Sequence, residues 1–337
     1  MTHVARAHPS TAPRLHVISG KGGTGKTTVA CALAIALARQ GKRVLLAEVE
    51  GRQGIASVLD VNPLAPEEQL VLTDPSGGEV YGIAVDAKAA LLEYLKLFYR
   101  LGPAGTVLEK IGAIDFATTI APGVRDLLLI GKIYEAVGRT QKVNKREVPV
   151  YDAVVLDAPP TGRIVRFMGV GEGVSDVARV GPIARQAASV NQMLTSQTTA
   201  VHLVTLLEEM PVQETIEAIT ELEGGGLRLG SIVVNLVRDH HVTSGHLRRV
   251  RARTDTLREA LNGDLTLMGL PAGDAIVDGL IEEAVEHEER MELQEEQEAI
   301  IAAQDRPTIR VPHLPLGVSG GGLGVLADAI EEQGMTA

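Results

Sequence analysis

The stretch Gly20-Lys21-Gly22-Gly23-Thr24-Gly25-Lys26-Thr27 decides how this chain folds. Its spacing, G-x-x-x-x-G-K-[ST], is that of a loop whose backbone N–H groups cradle phosphate oxygens. In such a loop Lys26 reaches the β- and γ-phosphates, and the Thr27 hydroxyl serves a Mg²⁺ ion. Gly22, Gly23, Thr24 and Gly25, with Thr28 just beyond, complete the expected nucleotide-contact set. Lys21 is a second lysine for which the plain pattern has no use.

Upstream, Leu15-His16-Val17-Ile18-Ser19 reads as a short apolar strand. Downstream, residues 26–39 are apolar nearly all round, so they form a helix that must be buried, with Gly41 at its C′ position. Strand, glycine loop and buried helix together aim a helix N-terminus at an anion.

The rest of the chain suits that start. Strand-like runs at 43–49, 80–86, 151–157, 200–205, 230–237 and 308–311 alternate with helical stretches. This is the pattern of an α/β fold with one doubly wound, mostly parallel sheet. Residues 1–13 read as a flexible tail and 14–337 as a single P-loop domain. Helical insertions are expected at about 87–139, 163–196 and 240–305. The first holds an apolar face (Leu91, Leu92, Leu95, Phe98, Tyr99) and a helix starting at Pro122. The second is broken by Gly169, Gly171 and Gly173. Its Phe167, Met168 and Met193, with the face at 91–101, line a client groove or pack on the sheet. The third begins basic (Arg248, Arg249, Arg251, Arg253, Arg258) and continues as an acid-rich helix from about residue 275 to 303. That helix reads as a solvated face or as a docking surface.

Composition narrows the function. Of 337 residues 45% are hydrophobic but only 2% aromatic, which leaves an aliphatic core and few base-stacking platforms. The net charge of −11 argues against a nonspecific nucleic-acid surface. The single cysteine, Cys31, cannot by itself build a zinc or iron–sulfur site. No apolar run reaches the roughly 18–20 residues that span a bilayer, so the expectation is a cytoplasmic protein that meets a membrane only through a partner.

Hydrolysis needs a second group at the metal and one that positions water. Residues 151–157 form an apolar strand ending in Asp157, placed to hold Mg²⁺ through water. The stiff turn Ala158-Pro159-Pro160-Thr161-Gly162 follows and is suited to sensing the γ-phosphate. The strand at 43–49 leads to Glu50, which orients the attacking water; alternatively, Glu50 or Glu48 forms an ion pair near the loop. Asn235, closing an apolar strand, either bonds an adenine edge or simply ends the strand.

These motifs resemble the ArsA family of deviant Walker A ATPases, which includes the arsenite-pump ATPase and the ATPase that targets tail-anchored membrane proteins. The resemblance rests on Lys21 to Thr27, on Asp157-Ala158-Pro159-Pro160-Thr161-Gly162, and on Leu206 to Thr215. It extends through Asn235 to Val311-Pro312-His313-Leu314-Pro315. In detail the chain looks most like actinobacterial members. The resemblance implies a Mg²⁺-dependent ATPase that binds ATP and ADP, with Lys21, Lys26, Glu50 and Asp157 as the catalytic set and Pro312 beside the base. It implies a nucleotide-gated dimer in which Lys21 crosses to the partner's phosphates, as an arginine finger does. The dimer is formed with itself or with a related ATPase, and a protein client is implied.

The sequence also departs from the family. Glu50 replaces the usual Asp and Arg163 the usual His, which points to weak turnover or to a structural role in a heterodimer. The family's thiolate chemistry has no counterpart here, so arsenite transport is not expected. A ParA- or MinD-like positioning ATPase is the alternative. It would call for a basic DNA face, to which only the arginines at 248–258 correspond, or for a basic terminal helix, where residues 326–334 are short and acidic.

Overall fold

The computed structural model describes residues 12–49, 51–90, 122–169, 182–238, 252, 255–319 and 321–336. Strand β1 (Leu15–Gly20) leads through the glycine loop to helix α1 (Lys26–Arg39), followed by β2 (Arg43–Glu48), α2 (Gly54–Leu59), β3 (Gln69–Thr73) and β4 (Glu79–Ala84). Next come α3 (Pro122–Gly138), a hairpin of β5 (Thr140–Val143) and β6 (Arg146–Pro149), β7 (Ala153–Asp157), α4 (Thr161–Phe167) and α5 (Pro182–Leu194). The chain continues with β8 (Thr199–Thr205), α6 (Glu209–Gly224), β9 (Leu229–Val237), α7 (Asp255–Leu267), α8 (Asp274–Ala302), β10 (Thr308–Pro312) and α9 (Gly322–Glu332).

Among the described residues, eight strands form one sheet in the order β10-β9-β8-β1-β7-β2-β4-β3, parallel throughout except for the antiparallel edge pair β3–β4. The expected α/β, mostly parallel architecture is what the chain adopts. Strand alternation divides the core into two layers. Leu45 and Ala47 face one cluster with α3–α6, while Val44 and Leu46 face the other with α1 and α9. Residues Val29 to Ala38 of α1 are buried without a break, as the unpatterned apolar run requires. A turn at Gln40 ends the helix, and Gly41 (φ 76°) donates its N–H to the Ala38 carbonyl. Helix α9 buries Leu323, Leu326, Ala327 and Ile330 in the same layer.

Three local features go beyond the alternation read from sequence. Strand β3 is a half-exposed edge strand that pairs backwards on β4. The β5–β6 hairpin stands apart from the main sheet and turns on Asn144 and Lys145, both left-handed (φ 50° and 66°), the geometry of a type I′ turn. Helix α7 buries none of its residues, whereas α8 buries Val277, Ile281, Met291 and Ile301, and Arg258 pairs with Asp278 across the two at 2.7 Å. The apolar face at 91–101, most of the tail at 1–13, and Arg248, Arg249, Arg251 and Arg253 lie outside the described residues. Among the described residues no helix is long and apolar enough to cross a membrane.

Candidate active site

The strand order sets the site. β1, β7 and β2 lie side by side at the sheet centre, so their C-terminal ends deliver the glycine loop, Asp157 and Glu48 to one edge. Crevices at the carboxyl ends of parallel strands are where such sheets bind ligands.

Two glycines shape the loop. Gly20, at φ 151°, faces β8 so closely that a Cβ would sit 2.1 Å from the Val204 carbonyl oxygen. Gly25, at φ 87°, would bring a Cβ to 2.2 Å from Asn235 Nδ2. Inside the loop, the Thr24 hydroxyl donates to the Lys21 carbonyl at 2.9 Å, and Lys26 Nζ donates to the same oxygen at 3.0 Å. Thr24 is thus a buried brace of the loop. Thr27 Oγ1 donates to Asp157 Oδ2 at 2.7 Å, joining the loop to the end of β7. The turn after Asp157 is tied back to β1 by Ser19 Oγ, which donates to the Pro159 carbonyl at 2.7 Å, and by the Ala158 N–H to Ile18 O at 3.0 Å.

These elements enclose a cavity of about 320 Å³ lined by Gly22, Gly23, Gly25, Lys26, Thr27, Glu48, Arg52, Gly54, Asp157 and Ala158. Most of the expected phosphate-contacting residues therefore meet in one place. Thr28 lies one residue further along α1. Asn235 sits behind the loop, 4% exposed, with Nδ2 donating to the Thr24 carbonyl at 2.9 Å and Oδ1 buried without a hydrogen-bond partner. An unfilled buried acceptor beside a phosphate loop fits a base's amino group. Pro312 closes β10 and pairs in register with Val237, two residues past Asn235. The strand pairing slips there, and Leu236 takes a left-handed φ of 56°, a bulge in the ladder just past Asn235. Lys21 reaches Glu214 of α6, Nζ to Oε1 2.9 Å. Glu50 lies outside the described residues.

The structure adds Glu48 and Arg52 to the cavity wall. β2 ends at Glu48, whose register partner on β7 is Asp157. The rule that finds Asp157, an acid at the end of an apolar strand, also finds Glu48. The Cys31 thiol on α1 is pushed well up by burial and by the nearby charges of Asp157 and Glu48, which leaves it an inert core thiol.

A scan against family models matches residues 14–197 to the anion-transporting ATPase model. The chain belongs to the ArsA ATPase family. The ATPase BagA of Mycobacterium tuberculosis is 46% identical over 96% of this chain and 94% of its own length. The arsenical pump-driving ATPase of Escherichia coli is 26% identical over 72% of this chain and 41% of its own. The ATPase get3 of Schizosaccharomyces japonicus is 26% identical over 45% of this chain. The ArsA-type ATPase is thus established, and its nucleotide loop lies in the matched part.

Proposed function

We propose that the chain is a Mg²⁺-dependent ATPase that closes as a nucleotide-gated dimer and acts on a protein partner or client. The observation that carries this reading is the bond between Thr27 Oγ1 and Asp157 Oδ2, 2.7 Å long, in a cavity walled by the glycine loop and Lys26. A hydroxyl and a carboxylate in contact at the end of a phosphate loop are the donor set of a nucleotide-bound Mg²⁺, with Asp157 acting through water. Bound there, Mg²⁺ supplies neutralisation of the charge on the β- and γ-phosphates.

The protein's own groups account for the remainder. Backbone N–H groups from Gly22 to Thr27 hold the phosphates, and Lys26 balances their terminal charge. Asn235 meets the adenine edge with its unpartnered Oδ1, and Pro312 flanks the base. Glu50 orients the attacking water, and its longer side chain is consistent with slow turnover. Lys21 has no use within its own cavity and serves the partner's phosphates, whether the partner is a second copy or a related ATPase. The positioning-ATPase alternative draws no support from α9, whose apolar face is buried.

Calorimetry on Lys26→Ala tests the site, with loss of ADP and ATP binding expected and unchanged affinity contradicting it. Turnover by the purified chain, abolished in Glu50→Ala, separates an active enzyme from a silent subunit. A pull-down with a hydrolysis-blocked variant held in ATP identifies the client.

A further inference from the structure

The turn after β2 is held by more contacts than a connection needs. Glu48, 4% exposed, accepts the Gln53 N–H on one carboxylate oxygen at 2.8 Å and the Ile55 N–H on the other at 3.2 Å. Gln53 adopts a left-handed φ of 56°, a conformation that costs a non-glycine residue about 1 kcal/mol or more. Its side chain is fixed by both backbone groups of Leu64, whose N–H donates to Oε1 at 2.6 Å and whose carbonyl accepts from Nε2 at 3.1 Å. Strain that is over-determined by its surroundings marks a turn whose position matters.

The clamp sets that position against the loop. Gly54, between the two clamped amides, lies so near Thr27 that a Cβ would be 3.2 Å from its Cγ2 and 3.4 Å from its Oγ1. The turn therefore closes on the Thr27 hydroxyl, which would help hold Mg²⁺ on the proposed reading, and so on the terminal-phosphate end of the cavity. Arg52 lies in the same turn and lines the same wall as Lys26, Thr27 and Asp157.

Charge supports the assignment. Glu48 and Asp157 are register neighbours on adjacent strands, so two carboxylates share the edge where phosphates would sit. Such acids repel each other and a polyanion unless cations offset them. A clamp alone would need only neutral acceptors for its two amides. With a carboxylate in that place, a guanidinium lining the same cavity gains a favourable field as well as a ligand.

We infer that Arg52 contacts the terminal phosphate in cis, and that Glu48 is the positioning residue that holds the Arg52 turn over it. This rests on the nucleotide reading of the cavity. A guanidinium fits two phosphate oxygens at once, a geometry a lysine cannot reproduce. An arginine on the terminal phosphate distinguishes ATP from ADP in binding, where the loop itself holds both.

The test is calorimetry on the full-length chain with Mg²⁺ and either ADP or a non-hydrolysable ATP analogue. Arg52→Ala should weaken the analogue about tenfold, the scale of one charge-assisted hydrogen bond, and leave ADP unchanged. Arg52→Lys should restore part of the loss. Glu48→Gln, which keeps one acceptor but loses the second and the charge, should lose the same preference for the analogue. The double variant should be no worse than Arg52→Ala alone, since the two act on one contact. Equal analogue and ADP affinities in wild-type and Arg52→Ala would overturn the Arg52 contact. Additive losses in the double variant would overturn the positioning role of Glu48. If Lys26→Ala binds both nucleotides normally, the cavity reading itself fails; if Lys26→Ala is defective and Arg52→Ala is not, only the present inference falls.

Discussion

Lys21, the additional lysine of the glycine loop, is ion-paired with Glu214 of α6 at 2.9 Å, with roughly a third of each side chain exposed (29% and 33%). The residue expected to serve a neighbour is therefore seated on its own subunit. Reaching across a dimer interface would require that this pair separate, and a partly solvated pair separates at small cost.

Lys21→Ala should keep nucleotide binding and lose ATP-dependent dimer closure, with turnover falling by about three orders of magnitude, the scale of an arginine finger. Light scattering and a phosphate-release assay report the two effects. Glu214→Gln should act oppositely on assembly. It should lower the protein concentration at which ATP drives dimerisation by about two- to fivefold, the worth of an exposed ion pair. Unchanged assembly in both variants would remove the trans role from Lys21.

Asp157→Asn removes the charge behind the Thr27 hydroxyl. ATP affinity in chelator should be retained, while the gain on adding Mg²⁺ should vanish and turnover should fall with it. Titrating ATP with and without the metal reads this directly. An identical Mg²⁺ gain in the variant would contradict the proposed metal site.

Asn235 has one task in the fold and a second that is proposed, and experiment can separate them. Its Nδ2 anchors the Thr24 carbonyl, and its buried Oδ1 has no hydrogen-bond partner and is proposed to meet the base. With base contact, Asn235→Ala should shrink the preference for ATP over GTP by about tenfold. With a purely bracing role, both affinities should fall together.

The buried pair His16 and His202, stacked on neighbouring strands β1 and β8, makes stability pH-dependent. His202 Nδ1 accepts the Ser231 N–H at 3.1 Å, so its Nε2 carries the proton and donates to His16 Nδ1 at 3.2 Å. Burial, with Lys42 nearby, lowers His16 from 6.5 to about 4. Burial, His16 and Arg228 hold His202 well below its usual value. Both groups are neutral when folded, so the unfolded chain takes up protons first as the pH falls below 6.5. The stability they supply is complete above 6.5 and drains away toward about 4, on the order of 3 kcal/mol for His16. Denaturant midpoints from neutral to mildly acidic buffer should fall accordingly; a flat profile would refute the neutral pair.

The sheet was legible because its determinants are local. Residues 26–39 carry an apolar run and a terminal Gly41, and the parallel strands are continuous aliphatic stretches. β3 escapes such a reading because half-exposed Gln69 to Thr73 lack a clear alternation, and its direction is set by pairing on β4. The phosphate loop was equally legible, since spacing alone specifies it. The placing of Arg52 and the clamp made by Glu48 were not. Their place depends on a clamp between Gln53 and Leu64, residues whose relation no linear pattern carries. Likewise, only the fold reveals that Asn235 reaches the loop from 211 positions away.

Helix α1 has a consequence for motion. Ten consecutive positions, Val29 to Ala38, are buried, Arg39 is tied to the Gly324 carbonyl of α9, and both ends are fixed by the sheet and by Gly41. A rod enclosed on every side has no room to shift without opening cavities. It is the stator of the molecule. Any movement that follows the terminal phosphate would have to be carried by the turns that leave β2 and β7, which are held by a few hydrogen bonds rather than by continuous burial. These two turns spring from adjacent register positions, Glu48 and Asp157. A single event at the terminal phosphate would therefore move them as a coupled pair against a fixed axle.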